Sequence, residues 1–307
     1  MEIKTVAVMG AGAVGGYFIW GLRRKLAENL WVVAQGSRAR NLEEQGLYVN
    51  GERMPLHLRT PEQARGADLL LVATKYSALE EALPDIAAVA DNHTVVMSLL
   101  NGVNSEDVIA GAVGRQAVLP AFMKIASERR GSAVFFDAET TAGLYYGEPD
   151  SPAVSDRMRA VAALLDGTPL HYHMVEDIQR QIWFKYALNV SQNLPQAVLG
   201  VGVGAYADSV HAAYLRDTLR AEVAALAAAR GIDIAAPGEV GTTSPSAKRA
   251  RYSTLQDLDA RRRTEVDLFA GAAVEMGREL GVPTPCCEFV LHLIHALEEK
   301  NDGRFDY

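Results

Sequence analysis

Lys4-Thr5-Val6-Ala7-Val8-Met9-Gly10-Ala11-Gly12-Ala13-Val14-Gly15-Gly16 decides how the rest of the chain is read. Its first six residues are apolar and β-branched after a polar start, the pattern of a short buried strand. Tyr17 to Leu26 resumes at helical spacing, with Phe18, Leu22 and Leu26 four apart. Between strand and helix stands a G-x-G-x-x-G turn. Gly10 permits the tight bend, Gly12 lets backbone N–H groups approach a pyrophosphate, and Gly15 lets helix pack on strand. The positive end of the helix faces the phosphates. A bare glycine spacing says little, but this one has the strand-turn-helix setting that gives it meaning. Gly10, Ala11, Gly12, Ala13, Val14 and Gly15 are therefore expected to bind a dinucleotide.

The end of the second strand, Leu30 to Ala34, bears on which dinucleotide. An NAD site carries an Asp or Glu about 20 residues past the turn, to hold the ribose 2′-OH. Here the chain reads Gln35-Gly36-Ser37-Arg38-Ala39-Arg40, with no acid before Glu43. Ser37 and Arg38 suit a 2′-phosphate, so NADP is expected rather than NAD. Further apolar runs at Ala67–Ala73, His93–Leu99 and Gln116–Leu119, separated by helical stretches, indicate a doubly wound parallel sheet. Ligands in such sheets lie beyond the carboxyl ends of the strands. Gly12, Arg38, Lys75 and Asn101 all fall there. Each also has a plain structural reading: Arg38 and Lys75 as solvated loop residues, Asn101 as a turn former beside Gly102. Gly46–Leu58 reads as a hairpin around Asn50-Gly51. Ser132–Asp137 and Thr141–Tyr146 read as an antiparallel pair.

A chain of 307 residues suits two domains. With 49 % hydrophobic and 22 % charged residues it is globular rather than disordered. No apolar run approaches the ~18 residues of a membrane span, and with strand one starting at once no leader peptide is expected. Cys286 and Cys287 are adjacent, which excludes a disulfide framework and fits a reducing cytoplasm. A thiol at a helix N-terminus can be mildly acidic, but both cysteines are expected simply to pack. The net charge of −8 makes nucleic acid and membrane surfaces poor partners. An anionic substrate would need a few placed cations. The histidines lack metal-ligand spacing, so no metal is expected.

Beyond Val175 strands nearly vanish, so the expected domains are residues 1–174 and an all-helical 175–307. Long helices are expected over Glu176–Leu194, Asp208–Arg230, Asp257–Leu280 and Pro285–Lys300, with Gly231 and Gly281 at C-terminal caps. Ala235–Ser246 is a Pro/Gly/Ser/Thr-rich loop. Lys185, Asn189 and Asn193, four apart, would share one stripe of a helix that Pro195 ends or kinks. An ammonium and two amides on such a stripe can bind a small polar anion and protonate it. Asparagine gains nothing locally in a helix, which sets this stripe apart from an ordinary solvated face. Ser253 with Gln256 matches a capping box. Glu265, followed by apolar Phe269–Val274, is expected inside a helix and against a packed interior, where a carboxylate needs a partner.

These motifs together resemble the ketopantoate reductase family (2-dehydropantoate 2-reductases). The resemblance runs almost end to end: the glycine turn, Thr74-Lys75, Asn101-Gly102, Trp183-x-Lys185 with Asn189 and Asn193, Leu255-Gln256-Asp257, Thr264-Glu265-x-Asp267 and Gly281-Val282-Pro283-Thr284-Pro285. It implies a Rossmann-type domain followed by a helical one, with NADPH and a 2-oxo acid in the cleft between them. It implies Lys185 as proton donor to the ketone oxygen and Glu265 as holder of the substrate hydroxyl and the lysine. Asn189, Asn193 and Ser253 would bind substrate, and Lys75 and Asn101 would serve cofactor and cleft. Hydride addition to a ketone leaves alkoxide character on oxygen, which needs a nearby acid. Burial beside Trp183 and Phe184 would lower the lysine pKa, and Glu265 would oppose that.

Several positions depart from the family pattern. Gln35 replaces its usual basic residue, so Arg38 would take the 2′-phosphate. Leu194 separates Asn193 from Pro195, Val203 replaces an amide, and Ala270-Gly271 replaces Asn-Gly. Fewer amides would meet pantoate's hydroxyls. Ketopantoate remains the leading substrate. The alternatives are a 2-hydroxyacid or opine-type dehydrogenase with another substrate and a non-catalytic NADP-binding regulator. A homodimer is compatible with the sequence, which does not itself give the oligomeric state.

Overall fold

The apolar runs of the first half fold as β1 (Val6–Met9), β2 (Leu30–Val33), β3 (Tyr48–Val49), β4 (Glu52–Arg53), β5 (His57–Arg59), β6 (Leu69–Val72) and β7 (Val95–Ser98). After them come β8 (Ala121–Lys124), β9 (Ser127–Arg130), β10 (Ala133–Phe136), β11 (Gly143–Tyr146) and β12 (Tyr172–Met174). This is a computed structural model, and it describes residues 1–149, 151–234, 248–305 and 307. The loop expected over 235–246 lies outside the described residues.

Five strands make one sheet in the order β5-β2-β1-β6-β7, every neighbouring pair parallel. Alternate residues serve opposite faces. Val6, Val8, Leu69 and Leu71 pack with α1 (Ala13–Leu26) on one face. Ala7, Met9, Leu70 and Val72 pack with α3 (Leu79–Val89) and α4 (Ser105–Val113) on the other. Burial on both faces is why these strands read as unbroken apolar runs. The strand order reverses beside β1, which opens a crevice over the carboxyl ends of β1 and β6. The short helix α2 (Gly36–Gln45) follows β2 at that rim.

Three details differ from expectation. The hairpin is only β3–β4, turning through Asn50 (φ 49°) and Gly51 (φ 86°). Past Pro55, which has no N–H for a ladder, the chain crosses to the main sheet, and β5 pairs with β2. At Gln116–Leu119 the sheet gains a single bridge, Val96 to Val118, because a 3₁₀ turn occupies Arg115–Ala117. β10 and β11 do not pair with each other. β10 lies between β3 and β9, and β11 between β8 and β12, in two small separate sheets. A turn at Asp137 separates them: its side chain accepts from the N–H groups of Glu139 and Thr140, and its carbonyl from Thr141.

The chain divides into two units, Met1–Gln179 and Arg180–Tyr307. The division falls within the helix Ile178–Leu188. In the second unit no strand occurs among the described residues. The expected helix over Glu176–Leu194 passes instead into a π turn at Asn189–Asn193 and continues as Leu194–Leu199. Pro195 is the reason: it has no N–H for the carbonyl one turn back, and the widened turn makes room for its ring. The helix is neither ended nor sharply broken there. Next come the single turn Ala205–Asp208 and the long helix Val210–Ala229. The run expected over Asp257–Leu280 is broken too. A helix covers Ser253–Asp259, Arg261 turns the chain at φ 53°, and a π turn at Asp267–Gly271 leads into Ala272–Leu280. Gly281, at φ 68°, closes that helix, and Thr284 with Pro285 opens the last one, Pro285–Asn301.

Candidate functional site

In the first unit, the glycine turn does what its spacing requires. Gly10 sits at φ 105°, and a Cβ there would lie 2.5 Å from the Ala73 carbonyl oxygen. A Cβ on Gly15 would lie 1.9 Å from the Gly10 oxygen, so only glycine lets α1 approach its strand. Gly12 is the N-cap of α1, with no side-chain cap and no acid in the first turn. The first amides of the helix are thus left for an external acceptor. They open onto a cleft of about 660 Å³ lined by Gly10–Gly12, Gln35–Arg38, Asn41, Thr74, Lys75 and Arg129.

The polar groups of this cleft fit a phosphorylated nucleotide. Thr74 holds a buried hydroxyl with no hydrogen-bond partner. Gln35 donates its amide to both carboxylate oxygens of Asp85 at 2.9 and 3.2 Å. The residues that follow β2 contribute no carboxylate of their own to hold a ribose hydroxyl, and Asp85, which also lines the cleft, is occupied by the Gln35 amide. Ser37 and Arg38 occupy the first turn of α2 at the rim, and Arg38 Nη2 lies 3.6 Å from Glu81. That ion pair is well exposed. Asn101 is half-buried in the turn after β7, where Gly102 takes φ 98°. It does not line this cleft. Close to it, Asn104 donates to the Tyr76 hydroxyl at 2.6 Å, while its own carbonyl oxygen is buried without a partner.

In the second unit, Lys185 and Asn189 are half-buried, whereas Asn193, past the π turn, is 7 % exposed. The extra residue in that turn therefore rotates the last asparagine inward. Tyr186, next to Lys185, donates its buried hydroxyl to the Phe269 carbonyl at 2.5 Å, joining this helix to the π turn after Glu265. Glu265 itself is not inside a helix. It sits half-buried at the bend before Val266, where its carbonyl accepts from Phe269 N–H at 3.1 Å. The expected run of helix fails there because Thr264 is bound elsewhere. Glu298, only 4 % exposed on the last helix, accepts from the Thr264 N–H at 2.7 Å and hydroxyl at 2.8 Å. Arg263 and His295 also contact Glu298, at 3.1 and 3.2 Å. Burial works to raise the Glu298 carboxyl, but these bonds hold it below the usual carboxylate range.

The expected capping box is absent. Ser253 is exposed and is the first helical residue, Tyr252 being the N-cap. Gln256 turns back to the Arg251 carbonyl at 2.7 Å. The Tyr252 N–H goes to Gln196 Oε1 at 2.7 Å, and the Tyr252 hydroxyl donates to Gln192 Oε1 at 3.1 Å. Two buried glutamines on the helix of Lys185 thus hold the segment that carries Ser253. Gln192, Gln196 and Glu298 are missing from the sequence-based expectation. Their signal is weak: amides and an acid at positions whose neighbours are apolar, which the structure buries.

The cysteines pack, Cys287 fully and Cys286 in part, and neither thiol is made acidic by its place at a helix start. Cys286 and Cys287 donate their backbone N–H groups to the Glu222 carboxylate at 2.8 Å each. Burial and then that negative charge push both thiols up rather than down. Among the described residues no cluster of His, Cys, Asp and Glu could hold a metal ion, and no helix is long and apolar enough to cross a membrane.

Comparison with known proteins agrees with this architecture. Residues 6–151 match the family model described as Ketopantoate reductase PanE/ApbA, and residues 177–298 match its C-terminal counterpart. The 2-dehydropantoate 2-reductase of Archaeoglobus fulgidus is 29 % identical, over 97 % of this chain and 99 % of that one. Among solved structures, a PanE/ApbA family ketopantoate reductase from Ralstonia eutropha superposes with a TM-score of 0.79 at 24 % identity, covering 97 % of this chain and 99 % of that one. D-mandelate dehydrogenase, solved with NADH and anilino(oxo)acetate, gives a TM-score of 0.82 at 25 % identity with the same coverages. The chain is a member of the ketopantoate reductase family, whose enzymes are NADP-dependent oxidoreductases acting on a CH–OH group.

Proposed function

We propose that the enzyme reduces a small 2-oxo acid to the 2-hydroxy acid with NADPH, ketopantoate to pantoate being the leading case, a step of pantothenate biosynthesis. The cofactor, when bound, supplies a hydride to the carbonyl carbon. Lys185 donates the proton that the ketone oxygen must receive, so that the product leaves as a neutral alcohol rather than an alkoxide. Glu265 holds the substrate hydroxyl and the lysine. Asn189, Asn193, Ser253 and Asn101 bind substrate, and Lys75 serves the cofactor. With a net charge of −8, the protein attracts an anionic substrate only through such placed groups.

The observation that carries this reading is the shared framework of the two catalytic residues. The Tyr186–Phe269 bond and the Glu298–Thr264 bonds fix the backbone beside Lys185 and beside Glu265 within one helical unit. A protein that only sensed NADPH would have no use for both groups. The test is NADPH oxidation by the purified enzyme across a panel of 2-oxo acids. Turnover of ketopantoate above the others is expected, and NADPH binding without any turnover would contradict the reading.

A second reading, a 2-hydroxyacid dehydrogenase with another substrate, is favoured by the likeness to D-mandelate dehydrogenase and by the apolar Val203 and Ala270. Preferential turnover of an aryl 2-oxo acid would select it. The boundary between a nucleotide-binding part and a substrate part is proposed near residue 174. We also propose a homodimer in a reducing cytoplasm. Two free cysteines support the compartment, and Val210 with Tyr214, one turn apart and 79 % and 70 % exposed, support the association.

A further inference from the structure

Strand β9 runs antiparallel to β10, with Arg129 opposite Val134 and Glu128 opposite Phe135. Residues directly opposite share a face of the sheet. Val134 is buried against α1: a Cβ on Gly16 would lie 3.6 Å from its Cγ2. Arg129 is therefore directed to the α1 side of this small sheet. Its neighbours Glu128 and Arg130 emerge on the other side, where they pair with each other at 2.7 Å and Arg130 lies over the Phe135 ring. Gly131, at φ 60°, turns the hairpin, and Arg129 Nε donates to its carbonyl at 3.0 Å. That bond leaves the rest of the fork pointing at the glycine turn. Nη1 stands 3.9 Å from where a Cβ on Gly12 would be.

A guanidinium and the uncapped N-terminus of α1 thus face one point of the cleft. The carboxylates that line this cleft, Glu81 and Asp85, are engaged by Arg38 and Gln35. Two positive features that converge with no acid between them call for an anion. We propose that Arg129 binds the pyrophosphate of the dinucleotide, its fork closing on the phosphates across from the α1 amides. The assignment adds a side-chain cation to a site otherwise built from backbone N–H groups. It rests on the first unit being the cofactor-binding part.

Isothermal titration of NADPH and of NADH into wild type and Arg129→Ala tests it, because both nucleotides carry the pyrophosphate and only NADPH the 2′-phosphate. Both dissociation constants are expected to rise together by roughly tenfold or more, the loss of one charge-assisted contact. Arg129→Lys, which keeps the charge but gives up the Nε bond to Gly131, should recover part of that loss. Arg130→Ala, on the opposite face, should bind both nucleotides as wild type does. Unchanged affinity in Arg129→Ala, or a loss confined to NADPH, would overturn the proposal. Failure of the wild type to bind either nucleotide would remove the cofactor site itself.

Discussion

Arg38 is the residue proposed to read the 2′-phosphate of the cofactor. Gln35, at the end of β2, is spent on Asp85, so the ribose meets neither a carboxylate nor a cation from that position. Arg38 is the next basic residue, in the first turn of α2, and its partner Glu81 is held only by an exposed contact at 3.6 Å. Such pairs contribute little, and a phosphate dianion would displace the carboxylate. Arg38→Ala should raise KM for NADPH by about tenfold and leave KM for NADH unchanged, in initial-rate measurements with each nucleotide. Equal effects on both would remove Arg38 from the 2′-phosphate. Arg38 can be found from sequence because it follows a recognisable strand at a known distance. Arg129 cannot: its direction depends on the pairing of β9 with β10, and neither the existence of β9 nor that register is written in the local pattern.

At the level of elements, the loop before Glu265 depends on a residue more than thirty positions later. Glu298 gathers the Thr264 N–H and hydroxyl, Arg263 and His295 around a carboxylate that is nearly fully buried. Its carboxyl titrates below the usual range, so the bound, ionised form stabilises the fold fully above the unfolded value of about 4.3. That contribution is lost as pH falls through the lower, folded-state value. Urea denaturation at neutral pH should show Glu298→Ala destabilised by roughly 3 kcal/mol, as for breaking a buried charged pair. The gap to wild type should narrow as the pH is taken below 4. A gap that stays constant with pH would mean the side chain acts by packing alone. Helical periodicity finds the segments around Glu265 and Lys185 but not the π turns within them. An extra residue per turn leaves the apolar spacing nearly intact, and Pro195 is compatible with an end, a kink or a widened turn.

For the molecule as a whole, the alternation of apolar strands with helices, the glycine turn and the loss of strands past Val175 already specify a parallel α/β sheet followed by helices. What they do not specify is the pairing of the short strands outside the main sheet, since β10 and β11 carry similar apolar patterns and choose partners by tertiary contact. The proposed dimer is a property of the whole chain. Light scattering after gel filtration should report twice the chain mass, and Tyr214→Glu, which charges the exposed face of the Val210–Ala229 helix, should shift it toward monomer. A wild-type monomer would contradict that assembly. The proposed reduction cannot proceed without a proton source, and that source is Lys185. Lys185→Ala, assayed for steady-state NADPH oxidation with the best 2-oxo acid and titrated separately with NADPH, tests this directly. A kcat reduced by ~10²-fold or more with unchanged NADPH affinity is the predicted result. A near-normal kcat would contradict it.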